Sequence, residues 1–384
     1  MSYEYPELTL LGSTGSIGRQ ALELADAKNI KINGLAANKS VAEVEKQARR
    51  FKPSFCVMSD PGAAADLKDR LADTDITVLS GDDGMTELIG RTKGVVLNAV
   101  IGSAGLKPTL DTIDAGRELA LANKESLVMA GDIVMSRAKE KGITLRPVDS
   151  EHSAIWQCLR GSSHGELKKL ILTASGGPFF GMKRAELETK GLNDALAHPT
   201  WNMGRAITVD SATLMNKGFE VIEASKLFEV DADRIEVLIH RESIIHSMTE
   251  YIDNSVIAQL SPPDMRLCIN YALTYPRRES GVTPSLDLAS MGRLTFAAPD
   301  HETFTLLPLA FKALREGGAL PAVLHAANEE TVGAFLDGRI TKFTDIQDTV
   351  CRVVDELSEY RTKAELSDVF EADAAARQRV LELI

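Results

Sequence analysis

Two carboxylates flanking a serine, Asp149-Ser150-Glu151, are the residues whose types and spacing most directly invite chemistry in this chain. The apolar run Ile143–Pro147 before them reads as a strand. If the backbone stays extended past it, side chains two apart share a face and the acids converge. Adjacent carboxylates repel unless a proton or cation lies between them. An all-oxygen donor set suits Mg²⁺ or Mn²⁺ rather than zinc. A solvated acidic loop has the same pattern, so a third acid is needed. One is found in Asp210-Ser211-Ala212-Thr213-Leu214-Met215-Asn216-Lys217-Gly218-Phe219-Glu220, read as a helix entered through a polar cap. There Asn216 and Lys217 sit four and three residues before Glu220, on one helical face. Ser211, Asn216 and Lys217 together would cradle a phosphate, although an ordinary surface Lys–Glu pair has the same spacing.

A second kind of chemistry is marked by glycines. The run Leu8–Leu11 leads into Gly12-Ser13-Thr14-Gly15-Ser16-Ile17-Gly18. Glycines between a strand and a helix let the backbone approach a pyrophosphate, and the N–H groups at the helix start point at it. The spacing is GxxGxxG rather than GxGxxG, so its weight comes from its place on the first strand of a βαβ pattern. An NAD site needs an acid at the end of the second strand for the ribose 2′-hydroxyl. Here that end reads Asn38-Lys39-Ser40 and the next acid is Glu43. A lysine among small polar residues favours the 2′-phosphate of NADPH, and a solvated loop lysine is the alternative.

Other polar loops supply further candidates. Ser175-Gly176-Gly177-Pro178 follows a strand-like run and offers a hydroxyl beside exposed backbone N–H groups, an anion nest. His198, Trp201 and Met203 fall in the segment from His198 to Gly204, in a long stretch from Phe179 to Arg205 that reads as a lid able to exclude water.

The elements that must hold these residues follow from hydrophobic patterning. Strands are predicted at Leu8–Leu11, Ile32–Ala36, Phe55–Met58, Thr77–Leu79, Val95–Ala99, Leu119–Ala122 and Ile143–Pro147, with helices such as Ile17–Ala27 and Val41–Arg50 between. Alternating βα units imply a Rossmann-like parallel sheet with helices on both faces. Strands at Leu170–Thr173, Glu236–His240, Ile245–Tyr251 and Val256–Leu260, with a hairpin turn at Asp253-Asn254, give an α+β pattern. Residues 1–149 are thus expected to bind the cofactor and 150–274 to form a catalytic α+β domain with a flexible loop near 181–205. Residues 275–300 read as a linker, and 301–384 as a C-terminal helical bundle with breaks at Gly317-Gly318, Gly338 and Thr362.

Bulk properties exclude some classes. At 384 residues several domains are expected. The net charge of −12 disfavours nucleic acid and requires any phosphate site to build its own positive charge. Four scattered cysteines without a CxxC pair suit a reducing compartment. No apolar run is long enough to span a bilayer, and Met1–Leu11 has no basic leader, so a cytoplasmic protein without membrane partners is expected.

Taken together, the segments GSTGSIG (12–18), LANKESLV (121–128), PVDSEH (147–152), TASGGPF (173–179), HPTWNMGR (198–205) and VDSATLMNKGFE (209–220) resemble the 1-deoxy-D-xylulose 5-phosphate reductoisomerase family. Weaker likeness runs through VLIHRESIIHSM (237–248), SPPDMR (261–266), LTFAAPD (294–300) and AANEE (326–330). The resemblance implies an NADPH-dependent homodimer with one Mg²⁺, Mn²⁺ or Co²⁺ per site, acting on a small sugar phosphate. It implies metal ligation by Asp149, Glu151 and Glu220, and contacts from Lys124 and Ser150 to substrate hydroxyls. Ser175, His198, Ser211, Asn216 and Lys217 would grip the substrate around its phosphate, with Trp201 and Met203 covering it. Thr14, Gly15, Ser16, Ile17, Lys39, Asn123, Glu125 and Gly204 would meet the cofactor, together with Asn38 and Ser40. Asn38 stands where the family usually has Gly, Ser40 where it often has Asn, and Ala206 where a Lys is common. Lys124, Asp149, Glu151, His198 and Glu220 are the expected catalytic group.

Two other readings fit parts of the chain. A plain nicotinamide dehydrogenase explains the glycine turn but not the acid trio and phosphate cradle. A non-catalytic nucleotide sensor predicts cofactor binding without oxidation.

Overall fold

The computed structural model describes residues 4–201 and 203–384; residues 1–3 and Asn202, part of the 198–205 segment, lie outside the described residues. Seven strands, β1 (Leu8–Leu11), β2 (Ile32–Ala37), β3 (Phe55–Met58), β4 (Thr77–Ser80), β5 (Val95–Asn98), β6 (Leu119–Leu121) and β7 (Leu145–Pro147), form one sheet in the order β4-β3-β2-β1-β5-β6-β7. Every pairing is parallel. The strands expected from the sequence are all present, and β1 and β5 are buried along their whole length, as strands covered on both faces must be. The chain winds outward from β1 to β4 and then restarts on the other side at β5. That reversal between β1 and β5 is the switch point where parallel sheets bind ligands.

Two compact units divide the chain, and neither is continuous in sequence. The first groups the N-terminal residues through Ser126 with Val134–Ser153 and Asp264–Pro284. Asp264–Pro284 therefore joins the sheet unit, ahead of the less regular stretch up to Pro299. One helix of this segment, Met265–Thr274, places Ile269, Ala272 and Leu273 in the same core as Leu8, Leu10, Leu35 and Leu97. The helix Glu125–Lys141 changes unit within its own length, since Leu127–Ile133 groups with the second unit. Its regularity breaks at Ala130, at φ −137° and ψ 33°.

The second unit contains a four-stranded sheet of β8 (Leu167–Ala174), β9 (Ile235–Ile239), β10 (Ile245–Tyr251) and β11 (Val256–Leu260), ordered β11-β10-β8-β9. β8 and β9 are parallel, and β10 runs antiparallel to β8 and β11. The β10–β11 hairpin turns at Asp253-Asn254 as expected. Asn254 adopts φ 67°, and Asp253 accepts the Ser255 N–H at 2.9 Å. The tail forms helices Leu306–Glu316, Leu320–Leu336, Phe343–Glu356 and Leu366–Leu383, broken where the glycines predict. Among the described residues no helix is long and apolar enough to cross a membrane.

Two local readings are corrected. Ser150–Cys158 is a helix, so Asp149 and Glu151 are not neighbours on an extended strand. The Asp149 carbonyl accepts the first helical hydrogen bond, from Ser153 N–H, which makes Asp149 the helix cap. The run 210–220 is not one helix. Arg205–Ala212 ends, Leu214 turns to φ 62°, and Met215–Phe228 begins, so Asp210 and Ser211 close one helix instead of opening the other. The stretch 179–205, expected as a lid, holds two short helices, Arg184–Leu187 and Leu192–Ala195, with Leu187 and Ala195 fully buried.

Candidate active site

In the first unit the expected cofactor residues gather at the C-terminal ends of β1, β2 and β6. Gly12 has φ 83°, and a side chain there would put its Cβ 2.3 Å from the Ala99 carbonyl oxygen. A Cβ on Gly18 would lie 2.3 Å from the Gly12 oxygen. These two glycines serve the fold. Gly15 differs: its added Cβ would meet only the Gly12 oxygen, at 3.4 Å. Gly15 caps the helix Ser16–Lys28 without any side-chain hydrogen bond. The first-turn N–H groups therefore depend on a ligand or solvent, which is the arrangement a pyrophosphate needs.

Asn38, Lys39 and Ser40 are all exposed just past β2. The Lys39 ammonium lies 3.8 Å from Asp60, an acid that follows β3 and lies far from Lys39 in sequence. Asp60 is already engaged in capping Ala63 N–H at 2.8 Å, and the exposed pair contributes little to stability. Asn123 and Glu125 brace the turn after β5. The Asn123 amide donates to the carbonyls of Val100 and Gly102, both at 2.9 Å, and Glu125 accepts Gly102 N–H at 3.1 Å.

Beside them, Lys124 is buried and its ammonium lies 2.5 Å from Asp149. The Ser150 N–H donates to the Asp149 carboxylate at 2.9 Å, and the Ser150 hydroxyl donates to Glu151 at 2.5 Å. Ser150 thus ties both acids together by its backbone and its side chain, a different geometry from the strand alternation expected. Lys124, Asp149, Ser150 and Glu151 form one polar cluster at the ends of β6 and β7.

The second unit gathers the other half of the expected residues. Ser175 follows β8, and its hydroxyl lies 2.9 Å from His198 Nε2. His198 Nδ1 accepts backbone N–H groups from Trp201 at 2.9 Å and Thr200 at 3.2 Å. With Nδ1 an acceptor twice over, the neutral ring carries its proton on Nε2 and donates to Ser175 Oγ. Burial, and then the Arg241 guanidinium, hold the imidazole pKa below its usual value. Gly176 and Gly177 both have positive φ, and a Cβ on Gly177 would lie 2.6 Å from the Ser211 carbonyl oxygen. Only glycine permits this close approach. The Ser211 hydroxyl donates to Ile207 O at 3.0 Å, and Asp210 accepts from the Asn328 amide at 2.7 Å.

On the helix Met215–Phe228, Asn216 donates to Glu220 at 2.6 Å and Lys217 is hydrogen-bonded to the other Glu220 oxygen. Lys217 and Glu220 are 3% and 1% exposed, so this is a buried pair and not the surface pair its spacing also allowed. Trp201 stands edge-on to His246 with ring centroids 6.1 Å apart. Trp201 and Met203 are half-buried, and Gly204 caps the helix Arg205–Ala212 from an exposed position. Arg241, to which the sequence assigned no role, donates to the carbonyls of Ser175 at 2.8 Å and Gly177 at 2.6 Å. Its only signal in the sequence was a cation immediately after a predicted strand.

A doubly wound parallel sheet with an uncapped, glycine-turned helix start at its switch point defines a dinucleotide-binding α/β enzyme unit. Comparison with known proteins narrows this. Residues 8–131 match the family described as 1-deoxy-D-xylulose 5-phosphate reductoisomerase, and residues 145–228 and 260–379 match two C-terminal domains of the same description. The reductoisomerase of Acetivibrio thermocellus is 50% identical over 378 residues, covering 98% of this chain and 99% of the relative. That of Desulfosudis oleivorans is 50% identical over 381 residues, covering 98% and 99%. The structure of the Zymomonas mobilis enzyme in complex with NADPH superposes with a TM-score of 0.92 at 41% identity, covering 99% of both chains. A reductoisomerase complex with NADPH, fosmidomycin and magnesium gives 0.94 at 38% identity, covering 98% of this chain and 97% of that one. The chain belongs to the 1-deoxy-D-xylulose 5-phosphate reductoisomerase family.

Proposed function

We propose that this enzyme converts 1-deoxy-D-xylulose 5-phosphate to 2-C-methyl-D-erythritol 4-phosphate, by carbon-skeleton rearrangement followed by reduction, using NADPH and a divalent cation (Mg²⁺, Mn²⁺ or Co²⁺). The observation that carries the reading is 50% identity to the Acetivibrio thermocellus reductoisomerase across 98% of the chain. The residues present fit both groups. Gly15 leaves space at an uncapped helix start, as a pyrophosphate requires, and Asp149, Glu151 and Glu220 offer the hard oxygen donors that such cations prefer. When bound, the cation supplies a Lewis acid for the rearrangement and NADPH supplies the hydride for the reduction.

In this reading Asp149, Glu151 and Glu220 hold the cation. Thr14, Gly15, Ser16, Ile17, Asn38, Lys39, Ser40, Asn123, Glu125 and Gly204 hold the cofactor, with Lys39 facing the 2′-phosphate. Lys124 and Ser150 orient substrate hydroxyls. Ser211, Asn216 and Lys217 bind the substrate phosphate together with Ser175 and His198. Ser175 Oγ receives His198 Nε2–H and, at 3.3 Å, Gly177 N–H. Its own hydroxyl proton is thereby directed outward, where it donates to a phosphate oxygen. Trp201 and Met203 cover the substrate, and the Trp201 N–H bond to His198 Nδ1 at 2.9 Å ties that cover to the phosphate grip. Binding energy from the phosphate end then orients the reacting end and excludes water through both steps.

We place the enzyme in the cytoplasm as a homodimer. Its four cysteines are free thiols, and the edge strand β11 exposes Val256 and Ile257 for a second copy to cover. Loss of NADPH absorbance on adding 1-deoxy-D-xylulose 5-phosphate with Mg²⁺ tests the assignment. Turnover that survives removal of the metal would instead indicate a plain dehydrogenase, and NADPH binding without turnover a nucleotide sensor.

A further inference from the structure

We propose that Arg241 is a positioning residue for sugar-phosphate binding, clamping the Ser175–Gly177 turn so that the Ser175 hydroxyl faces the substrate phosphate. The inference rests on the functional reading above for the identity of the substrate. The turn cannot hold itself. Gly176 and Gly177 adopt φ 78° and 64° in succession and carry no side chains to brace them. From one side the turn is limited by the close approach of Gly177 to the Ser211 carbonyl oxygen. From the other, Arg241 Nη1 bridges the carbonyls on both sides of Gly176, at 2.8 Å to Ser175 and 2.6 Å to Gly177. A charged donor shared by two carbonyls is a strong restraint on a segment of this flexibility.

The clamp is itself firmly mounted. Arg241 follows β9, between His240 and Glu242. His240 Nε2 accepts N–H from Ile244 and Ile245, both at 3.2 Å, and its Nδ1–H donates to Thr295 O at 2.9 Å. Glu242 accepts the Thr295 hydroxyl at 2.8 Å. The guanidinium also lies over the Phe180 ring, 5.1 Å from its centroid, which fixes its plane. Arg241 adds positive charge beside Ser175 and His198, in a chain of net charge −12 where Ala206 supplies none. The charge and the restraint therefore act on the same subsite.

The test compares Arg241→Gln and Arg241→Lys with the wild type in the presence of Mg²⁺. In Arg241→Gln, KM for 1-deoxy-D-xylulose 5-phosphate should rise roughly tenfold to a hundredfold, the range for losing hydrogen bonds from a charged donor. KM for NADPH should stay within about twofold, because that site has its own residues. Arg241→Lys, which keeps the charge and one carbonyl contact, should recover part of the loss. Binding of inorganic phosphate, measured by calorimetry, should weaken in parallel with the substrate KM. An unchanged substrate KM in a folded Arg241→Gln would overturn the proposal, as would equal rises in both KM values with no rescue by Lys. If the wild type fails to turn over the sugar phosphate yet binds inorganic phosphate in an Arg241-dependent way, the functional reading fails and the clamp stands.

Discussion

Gly12 and Gly15 belong to the same turn but are predicted to fail in different ways when each is replaced by alanine. At Gly12 the backbone sits at φ 83°, and the new methyl would meet Ala99 O at 2.3 Å, Ala99 C at 2.6 Å and Val100 N at 3.0 Å. These are backbone atoms at the end of β5, so no side chain can swing aside. The left-handed conformation costs about 1–2 kcal/mol and the forced shift of a packed strand about 1–3 kcal/mol, a total of roughly 2–5 kcal/mol. Gly15 has an ordinary extended conformation, φ −73° and ψ 176°, and its methyl would meet only the Gly12 oxygen, at 3.4 Å. Its stability change should stay within about 1 kcal/mol. If the open space beside it receives a pyrophosphate, NADPH affinity should nevertheless drop roughly tenfold to a hundredfold, the effect of about 1–3 kcal/mol of overpacking. Urea unfolding followed by circular dichroism measures the first quantity, and NADPH fluorescence titration the second. Gly15→Ala that unfolds as easily as Gly12→Ala, or that binds NADPH like the wild type, would refute the assignment of one glycine to the fold and the other to the ligand.

Three further outcomes are expected. Lys39→Ala should weaken NADPH about tenfold while sparing NADH, since only NADPH carries the 2′-phosphate; equal weakening of both in parallel titrations would discredit that contact. Glu220→Gln should fold but lose turnover at least about a hundredfold at ordinary Mg²⁺, with roughly 3 kcal/mol less stability because the buried pair with Lys217 loses one of its charges. Near wild-type rates in that variant would remove Glu220 from the metal site. His198, shifted down by burial and by Arg241, should titrate below 6.5 in a two-dimensional NMR experiment on the imidazole nitrogens. Because the unfolded chain takes up that proton first as pH falls, the group adds stability above pH 6.5 that is lost as pH drops through its lowered pKa. A midpoint above 6.5 would contradict the double-acceptor role of Nδ1.

Much of the architecture was legible because parallel strands advertise themselves. β1 and β3 lie where their apolar runs begin and end, the antiparallel β10 keeps its expected bounds, and the hairpin at Asp253-Asn254 follows from turn chemistry alone. The Asp149–Glu151 segment was misread for a local reason: an Asp followed two residues later by Glu is also a helix start, and the cap outweighed continuation of the strand. Nothing local foretold Leu214 at φ 62°, since leucine rarely adopts a left-handed conformation and the break is set by the packing around it. Arg241 was invisible for another reason. Its partners are backbone carbonyls more than sixty residues away in sequence, which leave no side-chain pattern to read. Residues 265–274 fell within the span expected for the catalytic domain, and the apolar pattern of a helix carries no information about which core it will fill.

That last helix has a consequence for how the protein is made. Leu8, Leu10 and Leu97 are buried together with Ile269, Ala272 and Leu273 as well as with residues of the N-terminal helices such as Leu24, Val44 and Leu67, so part of one apolar face of the dinucleotide-binding sheet lacks its cover on the ribosome until Thr274 has emerged. The nascent sheet must either wait, partly wet, or be shielded by a chaperone while the intervening residues are synthesised. For the same reason the glycine-turn half cannot be cut out and grafted as a cassette: a fragment ending at Ser153 would carry its ligand-binding turn on a sheet missing part of its own interior.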